Sequence, residues 1–427
     1  MYTTLDDLPE FPILACTGPG EGPGMDPALY PCNARTMKRL ADCGININWA
    51  FCQGEDPRRV LDLAEAAGVL VIGRFNGLHA WTGLRGDGSH EPIDEAAAVA
   101  TINRVKGHPA LLGYEVDDEP TAARYDNNEA LFRIIRQHDP KAYLYHNHWA
   151  PGISFHGFHS YEELLDEYME RCRPAHVSAD LYPVQVVAED DWLAHRATRP
   201  WYYPRHRAMI SPHYFEMLEI LRQQARIHRV PMLAWTLAQP VYDAATADGE
   251  MRFQLLTGLA YGARGIMYFS YFQNHMMADT EGEPTANWHV ARQINREMKN
   301  LGQVLRKLRH IGVYHHPANL PMTRLLDQYL LGHANDLCSR GGDPIVVGQF
   351  LGQGDDNREY ALIANRSPFE PARFDFHFGT DADVEAFEPL QNAWRRPWPY
   401  NPRAMPVTLR PGDGRLYRFR RDVGSKR

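Results

Sequence analysis

The sequence predicts a (β/α)8 barrel followed by a small antiparallel β domain. Three observations carry that prediction. Between residue 11 and about residue 310, eight short apolar runs alternate with eight helical patterns, the rhythm of parallel strands joined by helices. Beyond residue 310 the pattern becomes period-two alternation broken by turn residues, as in antiparallel strands. The first strand is also not followed by a dinucleotide-type glycine turn. "TGPGEGPG" (17–24) lacks the G-x-G-x-x-G spacing that a doubly wound open sheet, the main rival, would usually carry there.

The units follow in order. "FPILACT" (11–17) is a strand and "NARTMKRLADCG" (33–44) a helix closed by glycine; "ININWAF" (45–51) pairs with "DPRRVLDLAEAAG" (56–68), whose proline opens the helix. "VLVIGRFN" (69–76) precedes the helix 92–107, "ALLGYEV" (110–116) the helix 127–139, and "KAYLYHNHW" (141–149) the helix 160–172. "AHVSADLYP" (175–183), "VPMLAWTLAQ" (230–239) and "GIMYFSYF" (265–272) are the last three strands, with helices at 212–228, 250–262 and 287–308. This gives a barrel domain over 1–310. Residues 311–427 form an accessory β-sandwich built from "DQYLLG", "PIVVGQFL", "EYALIANRS" and "ARFDFHFG", with "VTLRPGDGRLYRFRR" (407–421) as a closing hairpin.

Composition narrows the function class. The 427 residues carry a net charge of -8 and no long basic run, which argues against a nucleic-acid partner. No run approaches 18 apolar residues, so no membrane helix and no membrane partner are expected. The N-terminus has no basic segment followed by an apolar one, and the six cysteines (Cys16, Cys32, Cys43, Cys52, Cys172, Cys338) show no CxxC pairing. Both point to reduced thiols and a cytoplasmic protein. No cofactor is expected, and the sequence carries no signal of oligomeric state.

In such a barrel the C-terminal ends of the strands face the site. They offer Cys16, Thr17, Asn48, Trp49, Arg74, Asn76, Asp117, Asp118, Glu119, His146, Asn147, His148, Trp149, Asp180, Tyr182, Trp235, Thr236, Gln239, Tyr268, Ser270 and Tyr271. Carboxylates, amides and aromatic faces on one rim suit a polyhydroxylated ligand: amides and acids bond hydroxyls, and rings cover the apolar side of a sugar.

"HPALLGYEVDDEP" (108–120) resembles the fourth-strand signature of (β/α)8 glycoside hydrolases of the large retaining clan, aromatic-Glu-aliphatic-x-Asn-Glu-Pro. Tyr114, Glu115, Val116, Asp117, Glu119 and Pro120 match it, while Asp118 stands where the clan usually has asparagine. "SADLYP" (178–183) and "EMRFQLLTGLAYGARGIMYFSY" (250–271) resemble segments of a β-galactosidase- and cellulase-like subset with a DEP motif. The resemblance implies a carbohydrate substrate, with Glu119 as general acid/base tuned by Asp118. It also implies a second carboxylate after strand seven, where this chain has Gln239. Glu250 and Asp180 are the candidates to replace it, with Asp243 and Asp248 beside Glu250. A more distant second carboxylate would widen the gap for water and favour inversion. Asn76, Asp118, His146, Asn147, Trp149, Tyr182, Trp235, Gln239 and Tyr268 would shape the sugar site.

Two other classes stay open. His146 and His148 share a strand face and can chelate a metal with Asp180 or Glu119, as in a metal-dependent barrel hydrolase, although no metal is the leading expectation. The other is a barrel that binds sugar without cleaving it. The long segment 184–209 carries Trp192, Trp201, Tyr202 and Tyr203. Its Arg196, Arg199, Arg205, His206 and Arg207 either meet an anionic sugar or, the preferred reading, pair with "EDD" at 189–191. Trp81 is one further rim aromatic.

Overall fold

The computed structural model describes residues 4–22, 25–80, 90–151, 158–199, 201–203, 205–326, 343–376, 378, 383–402 and 404–420. Its first nine strands are β1 (Ile13–Ala15), β2 (Ile47–Cys52), β3 (Leu70–Phe75), β4 (Leu111–Asp118), β5 (Tyr143–Asn147), β6 (Val184–Val186), β7 (Ala208–Ile210), β8 (Leu233–Leu237) and β9 (Gly265–Phe269). The helices are α1 (Ala34–Asp42), α2 (Arg58–Ala67), α3 (Glu95–Val105), α4 (Tyr125–His138), α5 (Tyr161–Cys172), α6 (Glu189–His195), α7 (His213–His228), α8 (Ala247–Ala260) and α9 (Ala286–Leu305). Local signals set their ends. The Asn33 side chain accepts the Arg35 and Thr36 N–H groups to start α1, Ser160 accepts the Glu163 N–H to start α5, and Gly68 ends α2 at φ 71°.

The chain divides into two compact units. The first comprises Met1–Leu181, Ile220–Ala238 and Arg264–Asn295; the second comprises Tyr182–Glu219, Gln239–Ala263 and Arg296–Arg427. The first unit holds the barrel strands. Seven strands pair in parallel in the order β5-β4-β3-β2-β1-β9-β8. The eighth position is not a regular strand. Residues 177–179 close the gap between β5 and β8 through single parallel bridges, His148 to Ala179 and Val177 to Met232. Leu14, Ile47, Trp49, Ile72, Leu112, Tyr143, Tyr145, Leu233, Trp235 and Met267 fill the interior, each burying apolar surface worth about 1.5–3 kcal/mol.

In the second unit, β10 (Arg309–His316), β11 (Ile345–Leu351), β12 (Glu359–Asn365), β13 (Ala372–Phe376), β14 (Asp383–Glu388), β15 (Ala393–Arg395), β16 (Met405–Leu409) and β17 (Gly414–Arg420) follow. They form a six-stranded sheet, β10-β11-β12-β17-β14-β15, and a two-stranded sheet, β13-β16. Ile345, Val347, Ile363, Phe376, Phe378, Val407 and Phe419 meet in its core. The expected closing hairpin is corrected. β16 pairs with β13 and β17 with β12 and β14, because the turn between β16 and β17 carries the chain from one sheet to the other. "DQYLLG" and Cys338 lie outside the described residues. Segment 184–209 holds the antiparallel pair β6–β7 with α6 between them. There Glu189 and Asp191 pair with Arg207 and Arg199, both at 3.5 Å, as the preferred reading had it, whereas Arg205 and His206 lie nearest Glu370, at 3.7 and 4.0 Å. Cys16, Cys32, Cys43, Cys52 and Cys172 are all free thiols.

Candidate active site

The end of β4 sorts its acids by a single irregularity. Gly113 lies beside Tyr143 and Glu115 beside Tyr145, but Asp117 is level with His146 and Asp118 with Asn147. One extra residue has entered β4, a bulge that re-aims the side chains following it. Without it, strict alternation would send Asp117 the way of Glu115. With it, Glu115 and Asp118 share the inward face with Tyr145 and Asn147, and Asp117 turns toward the helices. There Asp117 is fully buried and fully used: it accepts from Arg124 Nε at 3.0 Å and from Asn128 Nδ2 at 2.7 Å.

Glu119 follows at φ 52°, in the left-handed region that non-glycine residues avoid. Two bonds hold it there. Its N–H donates to the Asn147 carbonyl at 2.8 Å, and its own carbonyl accepts from Arg124 Nη2 at 2.5 Å. Burial pushes the Glu119 carboxyl up, the Asp180 charge adds to that and Arg124 opposes it, leaving a pKa of about 7. Burial also lifts Asp118 well above the usual carboxylate range, helped by the charges of Glu115, Asp180 and Glu119 and resisted by Arg74.

Beneath them lies a charge pair that the sequence reading did not identify. Arg74 grips the buried Glu115 carboxylate with two bonds of 2.6 and 2.8 Å, and His79 Nε2 lies 3.2 Å from the same group. Burial alone would raise Glu115, but Arg74 and His79 outweigh it and hold its pKa at about 2. The Arg74 guanidinium also sits over the Trp49 and Phe51 rings, 5.1 and 5.0 Å from their centroids. Asp180 follows the bridged segment 177–179, and Asn147 Nδ2 donates to its Oδ1 at 2.7 Å. Asp118 and Asp180 both act on Cys16 and Tyr145, and Asp180 acts on Glu119. Burial and Asp118 push the Cys16 thiol up, away from thiolate character.

Several expected site residues lie elsewhere, and strand alternation explains two of them. His146 stands between the inward Tyr145 and Asn147, so its ring stacks on Tyr168 of α5 at 4.9 Å, and His148 meets the same ring at 4.6 Å. Both histidines face the helix layer, which corrects the expectation that they bind sugar or a metal at the mouth. Burial holds both neutral, His148 at about 3. Tyr268 is likewise turned outward and donates to Asn295 of α9 at 2.7 Å. Asn76 is exposed and ties loops together by donating to the Gln53 carbonyl at 3.2 Å.

Glu250, buried in the first turn of α8, accepts the N–H groups of Val241 and Tyr242 at 2.7 and 3.2 Å and the Thr246 hydroxyl. Asp243 caps the turn before α8 and Asp248 pairs with Arg252 at 2.9 Å. All three acids are committed within their own segment. Trp235 is buried in the barrel interior, while Trp149 and Tyr182 are half-buried beyond β5 and Asp180. Gln239 is half-buried after β8, and Trp81 lies outside the described residues.

Among the described residues, one group brings three possible metal ligands within 4.8 Å of one another: Asp62, Glu65 and His108. Its chemistry is that of a hydrogen bond. His108 Nδ1 accepts the Ala110 N–H at 3.1 Å, so the ring proton sits on Nε2 and faces Asp62 at 3.0 Å.

Sequence comparison adds no assignment: no protein-family description matches the chain, and no curated protein matches it. Solved structures do match its fold. A glycoside hydrolase of family 5 from Bacteroides vulgatus aligns at 11% identity over 97% of this chain and 90% of its own, with a TM-score of 0.52. A second structure, described as a glycoside hydrolase, aligns at 10% identity over 96% of this chain and 92% of its own, also at 0.52. A β-galactosidase from the psychrophilic Marinomonas ef1 aligns at 13% identity and a TM-score of 0.49 over 70% of this chain. The alignment spans 62% of that enzyme, less than two thirds of its length. The likeness is one of fold, and it agrees with the fourth-strand resemblance: this chain has the (β/α)8 barrel and following β domain found among glycoside hydrolases.

Proposed function

We propose that the protein is a glycoside hydrolase in which Glu119 is the general acid/base and Asp180 the second carboxylate. One observation carries this reading: Asn147 anchors both groups. Its carbonyl fixes the Glu119 backbone at 2.8 Å and its amide fixes the Asp180 carboxylate at 2.7 Å. Glycosidic cleavage needs one carboxyl that still holds a proton near neutral pH and one that is ionised. A Glu119 pKa of about 7 meets the first need, and an amide donor on Asp180 favours the second.

Glu119 protonates the departing glycosidic oxygen, and Asp180 stabilises or attacks the anomeric carbon, or activates water there. Asp118, protonated, offers an O–H where an asparagine amide would donate, so the departure from the family pattern keeps a donor in place. Among the described residues the buried indole N–H groups of Trp49 and Trp235 have no hydrogen-bond partner and are donors for sugar hydroxyls, with Trp149 as a further subsite candidate. The substrate is a carbohydrate.

The test is a panel of 4-nitrophenyl glycosides of common hexoses and pentoses. With a substrate that wild type hydrolyses, Glu119→Gln and Asp180→Asn should each lower kcat by roughly 10²–10⁴-fold. Unchanged turnover in Glu119→Gln removes the central assignment.

A further inference from the structure

We propose that Ser178 and His176 are positioning residues for Asp180, acting through a one-way hydrogen-bond chain along the irregular sixth position of the barrel. The inference rests on, and extends, the assignment of Asp180 as second carboxylate. His176, Ser178 and Asp180 alternate in sequence and so share one face of an extended segment. His176 and Ser178 are fully buried, and Asn147 is 1% exposed.

Proton counting fixes the direction of the chain. The Asn147 amide nitrogen donates to Asp180 Oδ1 at 2.7 Å. That turns Asn147 Oδ1 toward Ser178, whose hydroxyl donates to it at 2.9 Å, a shorter contact than its 3.3 Å approach to the His146 carbonyl. The Ser178 oxygen is then free to accept, and His176 Nε2 lies 3.4 Å away. Burial holds His176 neutral, with a pKa of about 3; with its ring proton on Nε2, that proton is shared between the Ser178 oxygen and the His146 carbonyl. Every donor points toward Asp180, and bonds aligned in this way polarise one another.

The groups facing Asp180 explain why such support is needed. Asp118 and Glu119 come from the β4 end, Cys16 from the end of β1, Tyr145 from β5 and Tyr161 from α5, and all register its charge. Two of these are carboxyls that disfavour a third negative charge. The chain supplies what they withhold: it favours the ionised form of Asp180 and holds its rotamer.

The experiment uses the full chain and the 4-nitrophenyl glycoside that wild type hydrolyses. Ser178→Ala should lower kcat about tenfold with KM within about twofold, and move the acidic limb of the kcat/KM profile up by roughly half to one pH unit. Ser178→Thr, which restores a hydroxyl, should return that limb toward its wild-type position. His176→Phe keeps the ring and removes the last donor, and should give a smaller shift in the same direction. An acidic limb that stays put in Ser178→Ala, whatever happens to kcat, overturns the proposal. Asp180→Asn separates the two levels. Full activity there refutes the carboxylate assignment itself, whereas lost activity there with an unmoved limb in Ser178→Ala refutes the positioning chain alone.

Discussion

A carboxyl that must stay protonated at neutral pH has to be costly to ionise, and Glu119 carries that cost in the folded state. Its pKa rises from 4.5 to about 7 on folding. A raised carboxyl pKa means that the folded protein binds the proton more tightly than the unfolded chain does. Its favourable contribution is complete below pH 4.5 and is lost as pH climbs through 7. Glu119→Gln abolishes the titration while keeping the shape. Thermal unfolding followed from pH 5 to pH 8 should show wild type losing stability relative to the variant, by about 1–2 kcal/mol at pH 8 after allowance for solvent screening. Parallel pH dependence in the two proteins would mean that Glu119 titrates normally.

The three consecutive acids at 117–119 show which part of this was legible. Their place at the end of the fourth strand can be read from the motif, which is also the source of the proposal that Glu119 is the working acid. Their division of labour cannot, because it depends on a bulge that no local residue signals. Ser178 and His176 did leave a signal: the His-x-Ser-x-Asp alternation at 176–180 places three polar groups on one face, visible once the segment is read as extended.

At the scale of elements, the site rests on the β4 bulge and the ion pair beneath it. Glu115 is fully buried and Arg74 only slightly exposed, so each charge depends on the other. Arg74→Met should destabilise the protein by about 3–5 kcal/mol, the cost of leaving a buried carboxylate without its partner. Adding Glu115→Gln should recover part of that loss, since an amide needs no counter-charge. Denaturant midpoints of the two variants provide the check, and equal midpoints for single and double variant would mean that the pair is not coupled.

Elements also explain the misplaced histidines and tyrosine. "HNHW" and "GIMYFSYF" reveal that His146, His148 and Tyr268 lie on strands. Which face turns inward is set by the pairing of Tyr145 with Glu115 and of Met267 with Ala15's neighbour Leu14. A shift of one residue reverses every assignment along a strand.

At the scale of the molecule, the eight-unit rhythm and its helix caps made the barrel readable, because parallel strands and amphipathic helices repeat their signals locally. The sixth position is only two bridges long, yet its apolar run had marked it. The second unit was less readable. Its β16–β17 link looks like a hairpin and is a crossing between sheets, a distinction decided by long-range pairing. Glu250 looked like a catalytic acid because it follows strand seven, where Gln239 stands in place of the expected carboxylate. Its three hydrogen bonds to its own loop give it a structural use. Among the described residues no helix is long and apolar enough to cross a membrane.

The barrel's fold-level likeness leaves catalysis to be established by Glu119 itself, and leaving-group dependence tests that most directly. A general acid matters for a poor leaving group and hardly at all for one that departs unaided. The kcat/KM of Glu119→Gln should be measured on phenyl and 2,4-dinitrophenyl glycosides of the same sugar. The expected loss is roughly 10³-fold or more for the phenyl glycoside and less than about tenfold for the dinitrophenyl one. Equal losses on both would contradict the assignment of Glu119 as the acid.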